Sequence, residues 1–279
     1  EKDSAFKVTP PMFLKLLYGV LYGDLLMSLY NQCKPYELER DATDRCLAKW
    51  QKRLEESFAN GGYLHTGRNY RAILEDFAKL ERSKVKKIRV GIVGEIYVKY
   101  SPLANNDLEK FLLSEGCEPV VPALLEFVMY CAAGTVVDAK LYDHTTNMTR
   151  LYRLGYKLIY SRLKQQIRIV KQHGVFDPPH DFEEVRRAAD EYISQGVSMG
   201  EGWLIPAEMA MLAKSGTKNI ICAQPFGCLP NHIVAKGMSR AIKQKHPDAN
   251  IVAIDYDPGA TRVNQENRIK LMLSNAKQG

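Results

Sequence analysis

The chain has 279 residues, 46% hydrophobic and 25% charged, with six cysteines and a formal net charge of +7. That composition excludes a low-complexity or collagen-like chain and allows one large domain or two modest ones with a real core. Cys33, Cys46, Cys117, Cys131, Cys222 and Cys228 include no C-x-x-C pair, which argues against a zinc ribbon or thioredoxin-type motif and leaves a reducing cytoplasm as the expected compartment.

The first 85 residues read as helical. The run at 11–30, PMFLKLLYGVLYGDLLMSLY, has the apolar density of a membrane span, but Lys15 and Asp24 inside it favour a buried helix and no membrane partner. Pro10 and Pro11 suit its first turn and Lys34-Pro35 breaks it. Helices are predicted over about 42–59, stopped by Gly61-Gly62, and over about 68–83. Ile88–Val93 then has the β-branched run of a buried parallel strand. Asn106-Asp107-Leu108-Glu109 reads as a helix start with Asn106 as cap, Gly116 as the stop, and 118–121 as a second strand.

Residues 123–175 read as helical, and Asp181 caps a further helix. The helix at 207–214 leads to a third strand at 219–223, a helix at 230–245, a fourth strand at 250–255 and a closing helix at 265–276. The expected fold class is α/β: a parallel Rossmann- or flavodoxin-like sheet of about four strands. It occupies residues 86–279, with a helical N-terminal segment at 1–85 and a helical insertion at about 123–215. Ligands of such sheets bind beyond the carboxyl ends of the strands, at a topological switch point. Three loops should meet there: Gly94-Glu95-Ile96-Tyr97, Phe226-Gly227-Cys228 and Asp255-Tyr256-Asp257.

In the second loop Gly227 permits a tight turn, and Pro230 opens a helix whose dipole favours an anion at that end. A thiolate there ligates iron or zinc; a small residue packed in a turn is the equal alternative. Glu95 follows Gly94 at a strand end and could serve as base, metal ligand or helix cap. Glu201 sits between Gly200 and Gly202 and is a second candidate. Cys222 reads as a packed core thiol, and Cys33, Cys46, Cys117 and Cys131 as structural. Arg150, Arg153, Lys157, Lys164, Arg168 and Lys171 share about a 60° arc of one helix, either a solvated face or a phosphate-holding stripe. No G-x-x-x-x-G-K-[ST] loop or nucleic-acid motif occurs, so no nucleic-acid partner is expected.

Three segments carry a family resemblance: LYGDLLMSLYNQCKPYELERDATD, IRVGIVGEIYVKYSPLANNDLEKFLLSEGCEPVVP and NIICAQPFGCLPNHIVAKGMSRAIKQKHPDANIVAIDYD. They resemble the 2-hydroxyacyl-CoA dehydratase D-component family, in the branch fused to CoA-enzyme activases, across most of residues 20–275. The resemblance implies Rossmann-like lobes that hold an iron–sulfur cluster through cysteines from separate segments. It also implies an ATP-dependent activase as electron donor and an acyl-CoA as substrate. Carried onto this chain, it makes Cys228, beside Gly227, a cluster ligand and puts Glu95 and Glu201 on Gly-Glu motifs of catalytic character. The family's other cluster cysteines are expected on a Cys-x-Pro-type segment elsewhere in a longer parent chain, so this chain would hold the cluster only in part. A non-catalytic module that binds acyl-CoA or docks a partner through the basic stripe is the rival expectation.

Overall fold

The computed structural model describes residues 9–143, 145–257 and 259–276. It divides into two compact units: residues up to Ser83 together with Arg168–Pro178, and Lys84–Ile167 together with Pro179 onward.

The first unit is helical. Helix α1 (Pro10–Cys33) is capped by the Thr9 side chain, which accepts from the Met12 N–H. By length and apolar composition α1 could cross a membrane. Within this unit its later turns bury Tyr22 and Leu29, and the Tyr22 hydroxyl donates to the Tyr63 carbonyl at 2.7 Å. Helix α2 (Ala42–Asn60) ends on Gly61 in the left-handed region. Helix α3 (Thr66–Ala78) is shorter than expected from the sequence. The chain beyond it is drawn into an antiparallel bridge between Glu37 and Arg82, with Leu38 N–H donating to the Glu81 carbonyl. Residues 168–178 belong here because Gln32 bonds the Asp177 backbone and Arg82 lies over the Phe176 ring.

The second unit is α/β, with four parallel strands: β1 (Ile88–Gly94), β2 (Cys117–Val120), β3 (Asn219–Gln224) and β4 (Asn250–Asp255), in the order β2-β1-β3-β4. This is the expected α/β sheet. The helices are α4 (Ile96–Tyr100), α5 (Leu108–Ser114), α6 (Leu124–Leu141), α7 (Asn147–His173), α8 (Phe182–Asp190), α9 (Leu204–Lys214), α10 (Lys236–Lys245) and α11 (Arg262–Ala276). The last turns of α7, from Arg168, count with the first unit. A π-helical turn, Pro230–Ala235, runs straight into α10, so the single α-helix expected there is two segments. The start of α5 also differs. Asn105, rather than Asn106, accepts the Leu108 N–H, because Asn106 and Asp107 both turn through positive φ.

Helices cover both faces, which is why the centres of β1, β3 and β4 are apolar runs. Val90 and Ile92 of β1 and Ile221 and Ala223 of β3 pack with α5 and α11. Val93, Ile220 and Cys222 face the other way, against Ile205, Met209 and Leu212 of α9 and Ile242 of α10. Pro119 lies in β2, an edge strand, where its missing N–H costs no central ladder bond.

The chain leaves β1 toward β2 on one side and later returns to β3 on the other, so the switch point lies between β1 and β3. There Gly94 has φ +131° and the Glu95 N–H donates to the Ala223 carbonyl at 3.0 Å. A Cβ on residue 94 would lie 1.9 Å from that carbonyl oxygen. Gly94→Ala should therefore cost about 3 kcal/mol or more through clash and backbone strain, read by urea unfolding. A loss below about 1 kcal/mol would show that the two strand ends can separate.

Candidate functional site

The three loops meet at the carboxyl edge of the sheet. β3 pairs with β1 on one side and β4 on the other, and Tyr256 N–H donates to the Gln224 carbonyl at 2.7 Å. Gly227, at φ +78°, turns the chain after β3 and presents Cys228, whose N–H donates to the Pro225 carbonyl.

Cys228 is half-buried. Asn231, fully buried, stands between two sulfurs: its Nδ2 donates to Cys228 Sγ at 3.2 Å, and its Oδ1 accepts from the Cys222 thiol at 3.5 Å. Cys222 is a core thiol, as its place in the strand suggested, and burial pushes its ionisation well up. His232 Nδ1 lies 3.1 Å from the Cys228 carbonyl, while Nε2 faces the Gln224 amide at 3.3 Å and Asp255 Oδ1 at 3.5 Å. Gln224 Nε2 also donates to Asp255 at 2.6 Å. This polar chain ties the ends of β3 and β4 to the π-helical turn.

Glu95 and Glu201 come together on one feature, the N-terminus of α4. Glu95 Oε2 accepts from the Val98 N–H at 2.8 Å, and Glu201 Oε1 accepts from the Ile96 N–H at 3.0 Å. Of the three roles open to Glu95, the structure realises the helix cap. The Glu201 loop is held by Tyr130, whose hydroxyl donates to the Gly200 carbonyl at 2.8 Å. It also abuts the Cys228 loop, since a Cβ on Gly200 would lie 2.7 Å from Pro230 Cγ.

Beneath these groups is an ion pair that the sequence reading missed. Lys99 Nζ bonds both Glu208 oxygens, at 2.8 and 3.1 Å, with 3% and 1% of the side chains exposed. Burial drives the Glu208 carboxyl up, opposed by Lys99. Each residue is a lone charge in an apolar stretch, IYVKY and PAEMAM, and that was the available signal.

A cubane needs about four ligands, three or four of them thiolates. Contrary to the expectation that the Cys-x-Pro segment lies only outside this chain, two of its cysteines are spelled Cys-x-Pro: Cys33-Lys34-Pro35 and Cys117-Glu118-Pro119. Both are buried, and burial pushes the Cys33 thiol up to about 12. Cys131 is exposed on α6, where burial of its surroundings and the nearby Glu201 charge push its thiol up. Among the described residues two thiols reach the surface, the exposed Cys131 and the half-buried Cys228, and two are too few for a complete cluster on this chain alone.

Phe226, Leu229 and Ile233, on the same loop and turn as Cys228, are 75%, 61% and 65% exposed. No protein family, curated protein or solved structure matches this chain.

The buried pair makes a separable prediction. Lys99→Met leaves a carboxylate buried alone and should cost about 3–5 kcal/mol in chemical denaturation. Lys99→Met with Glu208→Leu should recover most of that loss. A double variant no more stable than the single one would show that charge pairing is not what holds α4 to α9.

Proposed function

We propose that this chain is the α/β lobe of a dehydratase-like, activase-linked protein. In this reading its carboxyl-edge loop supplies one thiolate, Cys228, to an iron–sulfur site whose other ligands come from elsewhere. The observation that carries the reading is the state of Cys228. It is a half-buried thiol at the switch point, facing the surface and held from behind by the Asn231 amide. Such an N–H bond orients a ligating sulfur and offsets its negative charge.

The remaining residues have supporting tasks. Asn231 separates Cys228 from the core thiol of Cys222. His232, Gln224 and Asp255 fix the turn from which Cys228 projects. Glu95 and Glu201 hold α4, and with it the floor between β1 and β3, through its N–H groups. Phe226, Leu229 and Ile233 form an apolar lip that a second lobe would cover, excluding water from the thiol. When bound, a cluster of this kind supplies low-potential electron transfer.

The test is anaerobic reconstitution with ferrous iron and sulfide, with excess small thiol standing in for the missing ligands. Thiolate-to-iron charge-transfer absorption is expected in the parent chain and in the Cys131→Ser variant, and should be lost in Cys228→Ser. Unchanged absorption in Cys228→Ser would refute the assignment. If absorption forms in no variant while calorimetry detects a CoA ester, the chain is the non-catalytic binding module instead.

A further inference from the structure

The two edges of the sheet are finished differently. β2, on one edge, is four residues long, and Pro119 within it has no N–H to offer a neighbour. Shortness and proline are usual means of closing an edge to further pairing. β4, on the other edge, is six residues long, with neither proline nor charge between Asn250 and Asp255. Its backbone groups alternate in direction. Asn250 N–H donates to the Lys218 carbonyl and Tyr256 N–H to the Gln224 carbonyl, so the even-numbered residues serve β3. The odd-numbered ones point outward. Gln265 Nε2 occupies the Asp255 carbonyl at 2.9 Å, but the N–H and C=O groups of Ile251 and Ala253 have no partner among the described residues. Ile251, Val252 and Ala253 are only half-buried, whereas every residue of β3 is buried.

The helices on both faces turn cations toward this open edge. On α10, Lys245 lies about 60° from the buried Ile242 and pairs with Glu191, which marks the side that faces α8 and α9. Lys236, Arg240 and Lys243 lie about 100–160° from Ile242 in the other direction, on the β4 side. Lys236 Nζ accordingly comes within 4.0 Å of Asp255, at the end of β4. On the opposite face, Lys270 of α11 lies over Phe111 of α5, and Arg268 is about 200° round the helix from it, toward the outer side of β4. Arg240, Lys243 and Arg268 are exposed and have no ion-pair partner among the described residues. The nearby carboxylates are engaged, Asp248 with Lys218 and Asp255 with Gln224.

An open ladder takes an extended peptide through main-chain bonds, and the side chains flanking it select which peptide. Charge disfavours a second copy of this chain. Two β4 strands paired antiparallel about a two-fold axis would bring α10 against α10 and α11 against α11, setting Arg240, Lys243 and Arg268 against cations. A lipid surface or a nucleic acid would use the cations and leave the Ile251 and Ala253 backbone groups unpaired. We infer that the outer edge of β4 takes up an extended, acidic segment of another protein as a fifth strand. Its backbone pairs with Ile251 and Ala253, and its Glu or Asp side chains meet Arg240 and Lys243 on one face and Arg268 on the other.

The experiment titrates the full chain into three short fluorescent peptides with the same alternating valine–threonine centre, with anisotropy as the readout. One has glutamates at both ends, one has lysines there, and the third is the glutamate peptide N-methylated at its central amides. The glutamate peptide should bind at least about tenfold more tightly than the lysine peptide, and less tightly as salt is added. N-methylation should weaken it by about tenfold or more, since it removes the donors that the ladder needs. The charge-reversed variant Arg240→Glu/Lys243→Glu/Arg268→Glu should invert the preference, an outcome that a general loss of structure cannot produce. Because all three side chains are exposed, thermal melts should match the parent chain. Equal binding of the glutamate and lysine peptides, or an unreversed preference, would overturn the inference. An N-methylated peptide that binds as tightly as the unmodified one, or tighter binding of oligothymidine or of phosphatidylcholine–phosphatidylserine vesicles, would overturn the strand and leave a surface for anions. Sedimentation equilibrium showing dimers that the glutamate peptide dissociates would reassign the edge to a second copy.

Discussion

The carboxyl edge of the sheet depends on how closely β1 approaches β3. The two strands end side by side, and the ladder continues one bond past β1, from the Glu95 N–H to the Ala223 carbonyl. That bond forms only because residue 94 has no side chain to meet the carbonyl. With the ends locked, α4 must begin at Ile96. A helix of five residues has little stability of its own, since nucleation consumes what few hydrogen bonds it makes. It persists because Glu95 and Glu201 satisfy its first N–H groups and Lys99 anchors it to α9 through Glu208.

This arrangement divides the site into a rigid floor and a chemical lip. The floor is costly: burying Lys99 and Glu208 requires that each satisfy the other. The lip is different in kind, with a half-buried sulfur, an amide behind it, and three apolar side chains left in water. A rigid base beneath an uncovered reactive rim suits a half-site, where geometry is set in advance and a second surface completes it.

Much of the fold was legible because parallel strands covered on both faces need continuously apolar centres, and 90–93, 220–223 and 251–254 supply them. Helix starts were legible where a side chain caps locally, as at Asp181, or where proline opens the first turn, as at Pro10. They were misread where the backbone takes positive φ, as at Asn106 and Asp107. The Gly227-Cys228 loop was visible as glycine and cysteine between a strand and a helix. The capping partner of Ile96 was not, because Glu201 lies 105 residues along the chain, and neither was the pairing of Lys99 with Glu208 across 109. Local sequence reports what a residue needs; it carries little about which distant residue will supply it.

The π-helical turn at Pro230–Ala235 ties this chemistry to chain length. A π turn contains one residue more than an α turn needs, and the surplus is absorbed by widening the backbone. Deleting a single residue there would return the helix to α register and rotate the preceding segment by about 100° relative to α10. Asn231 would then swing away from both sulfurs, and His232 from Asp255. A change in count, with each remaining residue of the loop left in its original identity, would dismantle the site more completely than many substitutions within it.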